Sequence, residues 1–221
     1  MFANVSLPNP ADFYTFALYQ GIPNSVLESA AFTGLTIDTA GNAVTASVVG
    51  TVDAGDILIG GSIPAGTSIV TWLGLSGTVS PAPQISVPST SANSYPAHLL
   101  FALNYALEVA IPGPGLGSGM VGYASSYLMA VYNLGLHQFL KIAPDESGAT
   151  YFAGLRQTYS LTTLRAGVVM ASGDENTSQS LVVPEFFKTL ALSDLDLMKT
   201  PYGRNYLEYA QMYGPNILGV S

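Results

Sequence analysis

Two imidazoles, His98 and His137, and a few neighbouring carboxylates are the side chains of this sequence with the clearest capacity for chemistry. A metal centre would need both histidines to converge with a carboxylate, yet Glu108 is the only acidic residue between them. Each histidine falls inside an apolar helical pattern, which predicts packed or capping side chains, with no metal and no cofactor. Asp194 and Asp196 in "SDLDLMK", like Asp145 and Glu146 in "APDESG", are spaced as surface or helix-start carboxylates rather than as a glycosidase pair. Ser118 has Leu116 and Met120 where a nucleophile elbow needs glycine. The glycines at 113, 115, 117 and 119 fit neither a dinucleotide fingerprint nor a phosphate loop, and they join two helical patterns rather than a strand and a helix. Cysteine is absent, which removes disulfides and thiolate metal sites. No catalytic constellation assembles, so no enzymatic activity is expected.

Composition points instead to surfaces. Apolar residues make up 48% of the 221 and charged residues only 9%, against about 25% charged in an average globular chain. Such a chain either lies in a membrane or has much of its surface covered by neighbours. A membrane span is disfavoured, because the apolar stretch from Val121 to Ala143 is broken by Ser125, Ser126, Asn133, His137 and Gln138 and has no basic flank at its start. The N-terminal "MFANVSLPNPADFY" lacks the basic and apolar regions of a signal peptide. From Met1 to Leu140 there are six carboxylates and no Lys or Arg; all six basic residues follow, among eight acidic ones. A grip on duplex phosphates needs a cationic patch that this distribution does not supply.

The elements follow three compositional regions. "PADFYTFALYQGIPNSVLESAA" predicts two short helices, with Pro10 at a first helical position, Gly21 as the stop, and Asn24 or Ser25 as caps for the second. From Phe32 to Ser91 the pattern becomes β-rich, with five or six short strands separated by Gly and Pro-Ala-Gly turns, and "SPAPQISVPSTSANSYP" reads as a linker or an extended return. From Tyr95 the helical period resumes through Leu99, Leu103 and Leu107, then Leu128, Val131 and Leu134, with further helices near 151–164, 184–192 and 203–213 and a polar loop "ASGDENTSQS". The expected fold is α+β: a helical bundle core from the N- and C-terminal helices (residues 1–31 and 92–221), carrying an inserted β-rich module (32–91).

Two stretches resemble known families. "VVGTVDAGDILIGGSIPAGTSIVTWLGLSGTV" resembles a small β-module of tailed-bacteriophage virion proteins, through Gly50, Val52, Gly55, Ile57 and Gly60, then Ile63, Pro64, Ala65, Gly66, Thr67 and Ile69. "KTPYGRNYLEY" resembles the C-terminal signature of phage head-tail connector (adaptor, neck) proteins, with Thr200, Tyr202, Gly203, Tyr206 and Leu207 matching. The resemblance implies a virion structural protein, made in the host cytoplasm. It would form a homo-oligomeric ring, possibly of twelve copies, that binds portal on one side and a tail or neck protein on the other. DNA would pass through as cargo only. The alternative it leaves open is a peripheral virion or tail protein whose β-module binds a host surface or a neighbouring subunit.

The segment from Lys199 to Pro215 concentrates four tyrosines, a Lys and an Arg. Tyrosine offers large contact area with a polar handle, and arginine offers bidentate contacts to carboxylates. Thr200, Tyr202, Gly203, Arg204, Tyr206, Tyr209 and Tyr213 are therefore the expected interface set, with Tyr206, Tyr209 and Tyr213 as one stripe at spacings of three and four.

Overall fold

The computed structural model describes residues 8–110, 121–145, 148–163, 168–171, 180–182 and 192–213. It is a mixed α+β fold, with a closed six-stranded antiparallel barrel and, among the described residues, seven helices. This overturns the expected helical bundle bearing a small β insertion. The chain divides into two units, one spanning Asn9–Asn104 and the other containing the described residues from Tyr105 onward.

The barrel unit opens with α1 (Pro10–Tyr19) and α2 (Asn24–Leu27). Asn9 caps α1 by accepting the Asp12 N–H at 2.9 Å, with Pro10 in the first turn. Gly21, at φ +85°, turns the chain out of the helix, and the Ile22 N–H returns to the Ala17 carbonyl. No side chain caps α2, where Pro23 stands at the N-cap position; Asn24 instead accepts a hydrogen bond from the Tyr14 hydroxyl. Phe13, Phe16 and Ala17 are buried, and the Tyr14 ring meets that of Tyr95 at 6.0 Å. The N-terminal helices thus belong with the strands, because their apolar face is satisfied there.

Seven strands follow: β1 (Ala30–Ile37), β2 (Asn42–Val44), β3 (Ser47–Gly50), β4 (Ile57–Ile59), β5 (Ser68–Leu73), β6 (Ser76–Ser80) and β7 (Val87–Tyr95). The pairing runs β2-β6-β5-β4-β7-β1, and β1 also pairs β2, so six strands close on themselves while β3 extends β1. Period-two alternation puts Phe32, Leu35, Ile37, Leu58, Ile69, Val79 and Val87 inside. Phe32 and Leu35 share that interior only because Gly34, at φ +68°, takes up a register shift against β7. Strand β7 decides between the two readings of this stretch: it is an extended return, not a linker. Its Ser, Thr and Pro residues disguise nine residues that pair with both β1 and β4 and bury Val87, Ala92, Ser94 and Tyr95. Helix α3 (Ala97–Val109) follows directly.

In the second unit, α4 (Val121–Ile142) is the central element, buried on nearly every side from Leu128 to Leu140, as a helix surrounded by others must be. Around it lie α5 (Tyr151–Thr158), α6 (Leu192–Leu197) and α7 (Pro201–Tyr213), with α5 and α7 packed on α4 and α6 on α7. A hairpin of β8 (Val168–Ala171) and β9 (Ser180–Val182) flanks the predicted polar loop. The stretch 111–120 and most of the helix predicted at 184–192 lie outside the described residues. Among the described residues no helix is long and apolar enough to cross a membrane.

Candidate functional site

The "TPYG" stretch builds an elbow between α6 and α7. Thr200, fully buried, accepts the Gly203 N–H through its hydroxyl at 2.9 Å and so caps α7, while Pro201 occupies the first helical position. Gly203 is required by proximity: any Cβ there would collide with the Leu197 carbonyl oxygen at the end of α6. The signature residues Thr200 and Gly203 therefore set the angle of the last helix.

A polar seam ties this elbow to α4. Asn133, His137 and Lys141 recur every fourth residue and so share one face of the helix. In antiparallel order they meet Asn205 on α7, Thr200 at the elbow and Asp196 on α6. Asn205 Nδ2 donates to Asn133 Oδ1 at 3.3 Å, His137 Nδ1 lies 2.8 Å from Thr200 Oγ1, and Lys141 Nζ donates to Asp196 Oδ2 at 2.6 Å. His137 Nε2 stands 3.5 Å from Asp196 Oδ2, and Lys199 Nζ lies 3.3 Å from Asp196 Oδ1.

These are the residue types of a hydroxyl-imidazole-carboxylate triad, but their arrangement assigns another role. With Nε2 facing the Asp196 carboxylate, a neutral His137 keeps its proton at Nε2 and leaves Nδ1 to accept the Thr200 hydroxyl hydrogen, while Thr200 Oγ1 accepts the Gly203 N–H. Burial, joined by the charges of Lys141 and Lys199, lowers the His137 pKa to about 4 against the opposing pull of Asp196. Burial pushes the Asp196 carboxyl up, but the hydrogen bond and charge of Lys141, with Lys199, outweigh it and hold the group below the usual range. A buried threonine with both hydrogen-bonding roles engaged presents no nucleophile; the seam sets helix register.

Of the predicted interface residues, Thr200, Gly203 and Tyr206 point inward, Tyr206 being buried in the α7 layer that packs on α4. Tyr202 is half-buried, and burial together with the neighbouring Tyr159 and Tyr151 raises its pKa, so it lies toward the tyrosines at the two ends of α5. Tyr209 is half-buried, and Arg204 is exposed with its guanidinium donating to the Met198 carbonyl at 3.0 Å. Tyr213 ends α7, and its side chain lies outside the described residues. His98 is half-buried in the first turn of α3, where burial lowers its pKa. Asp145 caps α5, accepting the Phe152 and Ala153 N–H groups at 2.6 and 2.7 Å, and Arg156 bridges it to the Ala143 carbonyl. Among the described residues no group of three His, Cys, Asp or Glu side chains could hold a metal ion.

The four described basic side chains, Lys141, Arg156, Lys199 and Arg204, all direct their heads at carbonyls or carboxylates of their own unit. The barrel unit has none: it carries Asp12, Glu28, Asp38, Asp53 and Asp56 and no Lys or Arg. In comparisons with known proteins, no family model, no curated protein and no solved structure matches the chain.

Proposed function

We propose that this chain is a structural virion protein of a tailed phage, a head-tail connector that forms a ring between portal and tail and lines the DNA passage. The observation that carries the reading is the distribution of charge. The barrel unit is acidic without a single Lys or Arg, and the described cations of the helical unit are turned onto its own backbone and carboxylates, so each unit offers a surface along which DNA slides without adhering. Tyr202, Arg204 and Tyr209 are the members of the expected interface set with surface to offer portal or a neck protein, while Thr200, Gly203 and Tyr206 hold that surface in place. Light scattering on the purified chain, alone and with portal, tests this: rings of about a dozen copies, or a stable complex with portal, are expected. A chain that stays monomeric with portal present, or that retains duplex DNA at low salt, overturns the reading.

The second reading, a peripheral virion or tail protein that docks through its β-module, is favoured by the apolar side chains exposed on the barrel, Val44, Leu73 and Leu75 among them. A full chain that forms no rings and does not bind portal, yet attaches to particles only while its barrel is intact, would select it.

A further inference from the structure

Asp56 is a buried carboxylate in a unit that has no Lys or Arg to pair with it. It is only 4% exposed, and the sequence from Asn9 to Asn104 holds neither basic residue. A buried charge is ordinarily paired or coordinates a metal. Asp56 stands immediately before β4 in the same phase as Leu58, and both are turned into the barrel. The start of β4, the end of β7 and the start of β1 meet at this end, since Ser94 pairs with Leu58 on one side and with Ala30 on the other.

Two further oxygen-bearing side chains stand beside this carboxylate. Asp53 lies across a tight turn, in which the Asp53 N–H donates to Asp56 Oδ2 and the Asp56 N–H donates to the Asp53 carbonyl, each at 3.2 Å. The Asp53 charge is close enough to oppose ionisation of Asp56, so two like charges share the turn with no basic side chain in the unit to neutralise them. Ser94 is independent of that turn and comes from another strand. It is fully buried, and its hydroxyl faces Asp56 and favours the charged carboxylate, yet Oγ makes no hydrogen bond to any described residue. A hydroxyl oxygen sealed from solvent, turned toward a carboxylate and left with its lone pairs, is placed as a ligand.

We infer that Asp53, Asp56 and Ser94 bind a calcium ion at this end of the barrel. The donor set selects the ion. All three side chains offer hard oxygen, with none of the nitrogen or sulfur that zinc or copper prefers. Calcium accepts hydroxyl and water oxygens beside carboxylates in irregular geometry, so two carboxylates suffice. Magnesium keeps its waters and demands a regular octahedron, which a ligand set sunk into a barrel does not accommodate. A divalent charge also balances both aspartates. The ion has a way in, because Asp53, Ala54 and Gly55 are exposed and Gly55, at φ +99°, has open space above it. Once bound, it ties the turn before β4 to β7. The site lies wholly within the barrel unit and does not depend on the connector reading.

Calorimetric titration of the chelator-treated full chain with calcium chloride tests the site. A single ion per chain is expected, with a Kd on the order of 10⁻⁴ M and with magnesium weaker by about tenfold or more. Asp53→Asn, at an exposed position, and Asp56→Asn are each expected to weaken calcium binding by about tenfold or more, and Ser94→Ala by about fivefold. Asp38→Asn, which alters an exposed carboxylate of the same unit on the β1–β2 turn, is expected to leave it unchanged. The one tryptophan, Trp72, packs on Phe32 in the barrel and supplies a second readout. Calcium at about 1 mM is expected to raise the midpoint of the fluorescence-detected thermal transition by roughly 5 °C in the wild-type chain and to leave that of Asp53→Asn in place. Absence of binding up to about 10 mM calcium, a hundred times the expected Kd, overturns the inference. So does binding that survives undiminished in Asp53→Asn and Asp56→Asn or in Ser94→Ala, and so does magnesium binding as tightly as calcium.

Discussion

The barrel and the helical unit solve the same problem, a unique packing, by different means. In the barrel, backbone pairing around a closed sheet fixes which residue faces which, around an apolar cluster that runs from Ala30 to Ala92; Thr45, Asp56, Thr67 and Ser94 are buried in the same unit beside it. The helices have no backbone ladder between them, and the apolar faces of α4 and α7 would tolerate a slip of one turn. There the seam from Asn133 through His137 to Lys141 supplies the register, because Asn205, Thr200 and Asp196 meet it at successive heights. Between helices, where no backbone ladder specifies alignment, buried polar pairs take over that task.

The sharpest way to separate the two regions uses their spectroscopic difference. The only tryptophan, Trp72, packs edge-on against Phe32 in the barrel at 5.1 Å, so its fluorescence reports the barrel, whereas helical ellipticity is dominated by the second unit. Phe32→Ala is expected to destabilise the fluorescence-detected transition by about 3–5 kcal/mol, and Tyr206→Ala the ellipticity-detected transition by about as much. Equal shifts in both probes for either variant would show that the units unfold as one.

Acid should drive the units in opposite directions. Burial holds Asp56 at about 6, above its ordinary 3.8, against the hydrogen bond it accepts from the Asp53 N–H. The folded barrel therefore binds the extra proton, and this contribution is full below pH 3.8 and lost as pH rises through 6. His137 is the reverse: with a folded pKa of about 4 against 6.5, its contribution is present above pH 6.5 and lost as pH falls toward 4. Each shift is worth up to about 3 kcal/mol. Denaturation at pH 4.5 and 7.5 should show the barrel gaining and the helical unit losing on acidification, with Asp56→Asn and His137→Gln flattening the respective trends. Parallel trends in the two probes would break the comparison.

Smaller effects probe the elbow. Thr200→Val removes both the α7 cap and the partner of His137, and is expected to cost about 2 kcal/mol in the helical transition, with Thr200→Ser recovering most of it. Arg204→Ala leaves an exposed surface and is expected to change stability by less than about 0.5 kcal/mol; a larger loss would give Arg204 a part in holding the elbow.

The strands were legible where alternation and turn residues coincide, as in "GDILIGG" and "GTSIVTWLG", because a two-residue period is local. Strand β7 was legible only as one of two readings, linker or extended return, since Ser and Thr fill its outward positions and its burial depends on partners far along the chain. The placement of α1 turned on Tyr14 meeting Tyr95, a contact between residues eighty-one apart in sequence. At the elbow, Pro201 and Gly203 marked a turn before a helix, but Asn133 and His137 looked only like interruptions of an apolar stretch, and nothing local tied Lys141 to them. The partners that give them meaning lie more than fifty residues downstream.

Closure of the barrel also orders events in time. The β5–β6 hairpin joins neighbours and can form as soon as its turn exists, but β1 pairs with β7 through partners such as Ala30 and Ser94. During synthesis, then, Phe32 and Leu35 are already outside the ribosome while the strand that will cover them is still being made. Pairings of such long sequence separation are slow and leave apolar strands open to wrong partners in the interval. Gly34, which breaks the alternation of β1 midway, also breaks the continuous template that a premature neighbour would need.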